Sequence, residues 1–372
     1  MKKKILIVHQ QLRGLEYVGG AEAICVWTIE ALKTKYDISL AVPQVGSMVL
    51  DTKHINQQYG TSLQDGDFTL VDVPMWALLR PLAAWSWFLH TFFFMICVRR
   101  LVWQYDICLS TYNEFDFDIA KPVVEYIHYP MIQVSTLTKG RRILAKFFGY
   151  QSEHINKYQL FTCSNWTAQI VKNAYPLSTT AVWYPPVRSM PAGHVFSERT
   201  NNFLVIGRIS PEKRIEDTIH ILADVKARGF DIYLTIVGPS YKKDYYDRLQ
   251  TLTASLSWIT WYGGANAGEI EQLCGLAKYG INGTKDEQFG IAIAEMCRAG
   301  CIVFVPQGGG QTEVVADERQ IFANQIEAVE KISRVLASPA IQTELHLQSL
   351  ATSARFDPSQ FIQAVQTEID KL

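Results

Sequence analysis

An α/β architecture of doubly wound parallel sheets in two domains is predicted by three observations. Short apolar runs of strand length alternate with stretches of helical periodicity along the whole chain. Glycine-bearing turns stand between several of these runs and the helix that follows. At 372 residues the chain also exceeds one typical core, so two domains are expected. Apolar content of 48% and charged content of 19% describe a globular protein. A net charge of −1 gives no global attraction to nucleic acid, so any polyanion or membrane site must be a local patch. The seven cysteines are odd in number and form no C-x-x-C pair, which reads as reduced thiols in a cytosolic protein without a disulfide scaffold or zinc site.

The basic start, Met1-Lys2-Lys3-Lys4, precedes an apolar run over 5–8 that is too short for a signal peptide and suits a buried first strand. Residues 9–18 are polar and irregular. Gly19-Gly20-Ala21-Glu22 then opens a helix with Ile24, Trp27 and Ala31 on one face. Such a glycine pair is either a plain tight turn or a place where phosphate or a second substrate meets a helix start. Residues 37–42 and 68–73 read as the next strands. Residues 81–98 carry no formal charge and reach the lower length of a membrane span. Three readings stand for them: a buried helix, a helix facing a bilayer or lipid-linked substrate, or a span. Arg99, Arg100, Arg141, Arg142 and Lys146 are candidate cations beside such a face. After a strand at 106–110, Asp116-x-Asp118 has the spacing of a divalent-metal site but no completing ligands nearby, so a solvated loop is the alternative. A strand at 123–127 ends in His128. There a side chain points into the crevice where open α/β sheets bind ligands, although a structural histidine is also possible.

Residues 160–163 form another strand, and Ser164 caps a helix from Asn165. Residues 187–201 lack periodicity and read as a linker. The second half repeats the pattern, with strands at 203–206, 232–238, 258–263 and 301–305 and a helix over 267–277. Arg208 and Lys213 flank a strand-to-helix turn at Gly207, as a diphosphate-neutralising pair or as surface cations. A polar loop, Gly283-Thr284-Lys285-Asp286, then runs through Glu287-Gln288-Phe289-Gly290 into a short apolar helix ending at Gly300. Its start suits a phosphate or sugar hydroxyl. Glu287 and Glu295 either grip ligand hydroxyls or are a helix-start acid and a solvated face residue. Gly308-Gly309-Gly310 makes a further glycine turn, and the chain closes with a helix from Pro358.

Taken in order, Gly19-Gly20-Ala21-Glu22, Ser164-x-Trp166-Thr167, Tyr184-Pro185-Pro186-Val187, Gly207-Arg208 with Glu212-Lys213, and Glu287-x7-Glu295 with Phe289-Gly290 resemble the signature of the family 4 glycosyltransferases of GT-B fold. Tyr126-Ile127-His128-Tyr129-Pro130 and Gly308-Gly309-Gly310 look like the branch holding the mannosyltransferase that extends dolichol-linked oligosaccharides.

The resemblance implies two Rossmann-like domains facing an interdomain cleft. The acceptor domain would be residues 1–187, with a C-terminal helix at 356–372 crossing back, and the nucleotide-sugar domain residues 188–355. It implies transfer with retention and no metal or other cofactor. Carried over by position, Arg208 and Lys213 would neutralise the donor diphosphate, and Glu295 would hold the ribose hydroxyls. Glu287 would face the transferred sugar, with backbone N–H groups at Phe289, Gly290 and Ile291, and His128 would contact the sugar near its reacting centre. Gly19, Gly20, Gly207, Tyr262, Gly263 and Gln288 complete the expected donor-binding set. The expected reaction moves a hexose from UDP-glucose or another UDP-hexose to a saccharide or lipid-linked acceptor in polysaccharide or glycolipid biosynthesis. A GDP-mannose-dependent mannosyltransferase and a nucleotide-sugar epimerase of the same fold are the alternatives. The expected location is cytoplasmic, with peripheral contact at the inner face of the membrane, and no nucleic-acid partner.

Overall fold

A computed structural model describes residues 2–10, 19–43, 51–73, 87–131, 139–190 and 194–372. The chain divides into two compact units, Met1–Pro186 with Pro358–Leu372, and Val187–Asp357.

The first unit is built on a seven-stranded sheet in the order β3-β2-β1-β4-β5-β6-β7. Its strands are β1 (Lys4–Val8), β2 (Asp37–Pro43), β3 (Thr69–Val73), β4 (Ile107–Ser110), β5 (Val123–Ile127), β6 (Gln159–Thr162) and β7 (Thr179–Val182). Every pairing is parallel. Helices lie between them: α1 (Gly20–Leu32), α2 (Thr52–Tyr59), α3 (Trp87–Arg99), α4 (Lys139–Phe147), α5 (Ser152–Ile155) and α6 (Asn165–Ala174). Burial on both faces explains why β1 and β4 read as nearly continuous apolar runs rather than alternating ones, while β5 is equally buried with Glu125 at its centre. The register sets Val8 beside Ser110, so the carboxyl ends of β1 and β4 finish level.

In the described part of the uncharged segment 81–98, α3 is a core helix. Phe92, Phe94, Met95 and Val98 are buried, and Phe93 packs edge-on against Phe148 at 5.2 Å. Residues 81–86 of that segment, and residues 11–18, lie outside the described residues. Among the described residues no helix is long and apolar enough to cross a membrane. Arg99 is not a surface cation: it pairs with Asp116 at 2.8 Å and donates to the Gly149 carbonyl at 3.0 Å. The side chains of Arg141 and Arg142 lie outside the described set. The terminal helix α14 (Pro358–Ile369) packs on α1, with Gln366 Nε2 donating to the Ala31 carbonyl at 2.7 Å and Lys35 pairing with Asp370 at 2.6 Å.

The second unit carries a six-stranded sheet in the order β10-β9-β8-β11-β12-β13. The strands are β8 (Thr200–Ile206), β9 (Tyr233–Val237), β10 (Ile259–Gly263), β11 (Ala277–Ile281), β12 (Ile302–Pro306) and β13 (Ile321–Phe322). Its helices are α7 (Ile215–Ala227), α8 (Lys243–Thr253), α9 (Ala267–Leu276), α10 (Ile291–Arg298), α11 (Gln311–Val315), α12 (Gln325–Leu336) and α13 (Pro339–Ser353). Strand β11 is central, paired to β8 and β12, although Ala-Lys-Tyr-Gly-Ile has no strand-like apolar run. Tertiary packing overrides that weak propensity. A Cβ on Gly280 would lie 2.5 Å from Met296 Sδ, so the glycine lets α10 press onto the strand.

The stretch 187–201 is not a free linker where described. Val187 N–H donates to the Phe356 carbonyl at 2.9 Å. Arg199 is buried and donates to the carbonyls of Ala299 at 2.8 Å and His194 at 2.9 Å. A buried guanidinium that serves several backbone carbonyls ties β8 to α9 and α10. Pro191 and Gly193 lie outside the described residues.

Candidate functional site

The strand ends of the second sheet converge through glycines. Gly207 follows β8 with φ +148°, and Gly238 follows β9 with φ +151°. A Cβ on Gly238 would stand 1.9 Å from the Gly207 carbonyl oxygen, so only glycine admits that approach. Beyond Gly207 a 3₁₀ turn, Pro211–Lys213, presents Lys213. After β11, Gly283 lies against that turn, its missing Cβ being 2.6 Å from the Arg214 carbonyl oxygen. After β12, Gly309 sits against Glu287, and Gly310 N–H donates to the Glu287 carbonyl at 2.8 Å. Gln311 then locks these loops from within. It is fully buried, donates from Nε2 to the carbonyls of Thr284, Pro306 and Gly308, and accepts from Asn282 at 2.6 Å. Nothing in the sequence reading singled out Gln311 or Asn282. Their value comes only from loops brought together by the sheet.

This scaffold brings Lys213 and Glu287 into direct contact, Nζ to Oε2 at 2.7 Å. Both side chains are about four-fifths shielded, at 24% and 17% exposure, so the pair is neither a loose surface contact nor fully desolvated. Just beyond, Gly290 takes φ +91° and opens α10, with no side chain capping the helix. Phe289 is buried against Phe356, ring centroids 5.0 Å apart, and anchors the loop. Ile291 begins the helix. Gln288 sits between Glu287 and Phe289 in the same loop.

Arg208 is exposed and lies over the Tyr241 ring at 5.0 Å. Tyr262 and Gly263 end β10. The Tyr262 hydroxyl reaches Glu269 at 3.3 Å, and the Gly263 carbonyl accepts from Gly238 N–H at 2.7 Å. Glu295 is not a solvated face residue. Its side chain is 15% exposed and pairs with Arg188 at 3.1 Å, a partner the sequence reading did not name. Burial pushes the Glu295 carboxyl above the ordinary range, Arg188 opposes that shift, and Glu271 adds to it.

In the first unit the carboxyl ends of β1, β4 and β5 gather two histidines around Thr111. His128 Nε2 lies 3.2 Å from the Thr111 carbonyl, which only accepts, so Nε2 carries the proton and Nδ1 is left as the acceptor. Its backbone N–H and that of Tyr129 both donate to Asn113 Oδ1 at 2.9 Å. Burial pushes the His128 pKa down to about 4, so the ring is neutral at physiological pH. His9, directly after β1, is fully buried with Nδ1 2.8 Å from Thr111 Oγ1. Burial first, and His128 second, lower its pKa to about 3. His9 was missed, although the strand-end rule that selected His128 applies equally to it. Gly19 caps α1 in an extended conformation, and a Cβ there would sit 2.1 Å from Glu22 Oε2. Gly20 is the first residue of α1.

Asp116 is neither solvated nor available to a metal. It is fully buried and bonded to Arg99 at 2.8 Å, His154 at 2.9 Å and the N–H groups of Asp118 and Gln151 at 2.9 and 2.8 Å. Asp118 takes φ +51° with its side chain half-exposed. Among the described residues no group of three or more His, Cys, Asp or Glu side chains is placed to hold a metal ion.

Two units, each a parallel sheet flanked by helices, with glycine turns and cations at the strand ends, define the GT-B class of fold. Residues 188–350, within the second unit, match the family model described as Glycosyl transferases group 1. It is 25% identical over 223 residues to a "GDP-Man:Man(3)GlcNAc(2)-PP-Dol alpha-1,2-mannosyltransferase" of Candida glabrata, a match covering 51% of this chain and 44% of the relative. The protein of the same name in Dictyostelium discoideum is 22% identical over 299 residues, covering 68% of this chain and 59% of the relative. The chain thus spans about half the length of the curated relatives it matches. Among solved structures, Anabaena Alr3699/HepE in complex with UDP superposes with a TM-score of 0.73 at 17% identity, covering 100% of both chains.

Proposed function

We propose that this chain transfers a hexose from a nucleoside diphosphate sugar to a saccharide or lipid-linked acceptor, with retention of configuration and without a metal. The observation that carries the reading is the Lys213–Glu287 contact, held by the glycine turns beside the open start of α10. In this reading Lys213 and Arg208 meet the charge that builds on the departing diphosphate. Glu287 and the backbone at Phe289, Gly290 and Ile291 face the sugar, and neutral His128 contacts it near the reacting carbon. The bond from the anomeric carbon to the diphosphate oxygen breaks as the acceptor oxygen bonds on the same face. The acceptor proton passes to the leaving phosphate oxygen. Gly19 and Gly20 let the acceptor loop approach the diphosphate, and Tyr262, Gly263 and Gln288 border the nucleotide.

For the donor, GDP-mannose takes precedence over UDP-glucose. The sequence relatives carry GDP-mannose in their names, whereas UDP comes from a likeness in fold at 17% identity. Calorimetric titration with UDP, GDP and ADP, each with and without EDTA, tests the reading. One nucleotide is expected to bind in the micromolar range, equally well with EDTA, and turnover of its hexose donor should also survive the chelator. No binding by any of the three would end the assignment. Loss in EDTA that Mg²⁺ restores would end its metal-free part.

Peripheral membrane contact belongs to the same proposal. On α4, Ile143 and Phe147 stand one turn apart at 69% and 81% exposure, with Lys146 exposed beside them, while Ala145 is buried. Burying two such side chains is worth about 1.5–3 kcal/mol each. A double variant, Ile143→Ser with Phe147→Ser, should bind anionic vesicles at least roughly tenfold more weakly with an unchanged circular dichroism spectrum. Equal vesicle binding by variant and parent would remove α4 from that role.

A further inference from the structure

Arg188 uses three of its nitrogens on three different groups of the second unit. Nε donates to Glu295 at 3.1 Å, Nη1 lies 3.2 Å from Glu271, and Nη2 donates to the Ala267 carbonyl at 2.9 Å. The first group is on α10; the other two are on α9. The backbone beneath it is also fixed: Val187 is buried and bonded to Phe356, whose ring packs on Phe289 in the Glu287 loop. Among the described residues, Arg188 is the one side chain that hydrogen-bonds or ion-pairs with the Glu295 carboxylate, donating from Nε to Oε1.

We propose that Arg188 is the residue that keeps Glu295 ionised and aimed at the vicinal hydroxyls of the donor ribose. The inference rests on the proposed donor site and deepens it. A carboxyl group presents both oxygens as acceptors only when ionised; in the neutral acid one of them becomes a hydroxyl donor. Burial and the neighbouring Glu271 charge both favour the neutral acid, and Arg188 is the cation that opposes them. Its planar fork also fixes direction, because one guanidinium holds the start of α9, Glu271 and Glu295 in a single plane of donors. Oε2 is thereby left to accept from a ligand. Lys213 grips the diphosphate separately, so ribose recognition and phosphate recognition are separable in this site.

The test compares Arg188→Gln and Arg188→Lys with the parent protein. The probes are UDP and GDP, their 2′-deoxy counterparts, and inorganic pyrophosphate. The parent is expected to prefer the ribonucleotide by about tenfold or more, the worth of a hydrogen bond to a charged group. Arg188→Gln should bring that ratio towards one at the acid end of the pH range in which the protein stays folded, while leaving pyrophosphate binding unchanged. The ratio should recover as the pH is raised, since the carboxyl loses its proton and regains its second acceptor. Arg188→Lys, with the charge but not the fork, should give an intermediate ratio, and it decides the matter if the glutamine variant does not fold. Equal weakening of ribo- and deoxyribonucleotide, with the ratio and its pH dependence as in the parent, would overturn the proposal and leave Arg188 a structural residue. If the parent binds neither nucleotides nor pyrophosphate, the proposed function itself has failed.

Discussion

Replacing Lys213 with alanine is expected to lower kcat/KM with the nucleotide-sugar donor by about 10²–10³-fold, the cost of removing one pre-placed partner of a developing negative charge. The cation is part-buried and sits 2.7 Å from Glu287, and the turn that carries it is braced by Gly283. In the proposed reaction it would need no reorganisation as the diphosphate departs. Alanine also leaves Glu287 without its counter-ion, so a vacated anionic site would repel the donor it once attracted. Lys213→Arg restores charge but not shape: an ammonium is a point charge on a flexible stem, whereas a guanidinium is a planar fork. Arginine should recover donor binding more than turnover. Steady-state kinetics beside calorimetry separates the two, and a kcat/KM within threefold of the parent for Lys213→Ala would refute the diphosphate role.

Asp116→Ala should cost about 3–5 kcal/mol, because it removes a fully buried carboxylate from a part-buried guanidinium and leaves several donors unsatisfied. For a unit of this size that lowers the melting temperature by roughly 10 °C. Asp118→Ala, by contrast, removes a half-exposed carboxylate 3.6 Å from His154 and should change stability little. A metal site would behave differently, since both carboxylates would then be ligands and both variants would lose metal-dependent activity alike. Thermal unfolding of the two variants with and without Mg²⁺ distinguishes these cases. A melting temperature for Asp116→Ala close to that of the parent would contradict the buried network.

How legible each feature was follows from the range of the interaction that makes it. Most strands of both sheets are visible because a strand covered on two faces is largely apolar, a local property, whereas β7, β11 and β13 were not read. The Glu287 loop and the start of α10 are visible because a glycine at positive φ, followed by a short apolar helix, is a local signal too. Strand β11 was obscured because Lys278 and Gly280 break its run, and its place is set by β8 and β12 on either side.

By itself, then, the sequence determined the alternation of strand and helix, the two-domain α/β class and the positions of the glycine turns. These depend on backbone preference and on the periodicity of burial. Only the tertiary structure decided what each polar side chain faces. Arg188 meets Glu295 across 107 positions and Lys213 meets Glu287 across 74, distances over which no sequence period carries information. The same holds for Asp116, which reads as half of a metal motif and is buried among Arg99, His154 and two backbone N–H groups. A carboxylate's partner, and hence its charge and its role, is fixed by which strand ends the sheet order makes neighbours.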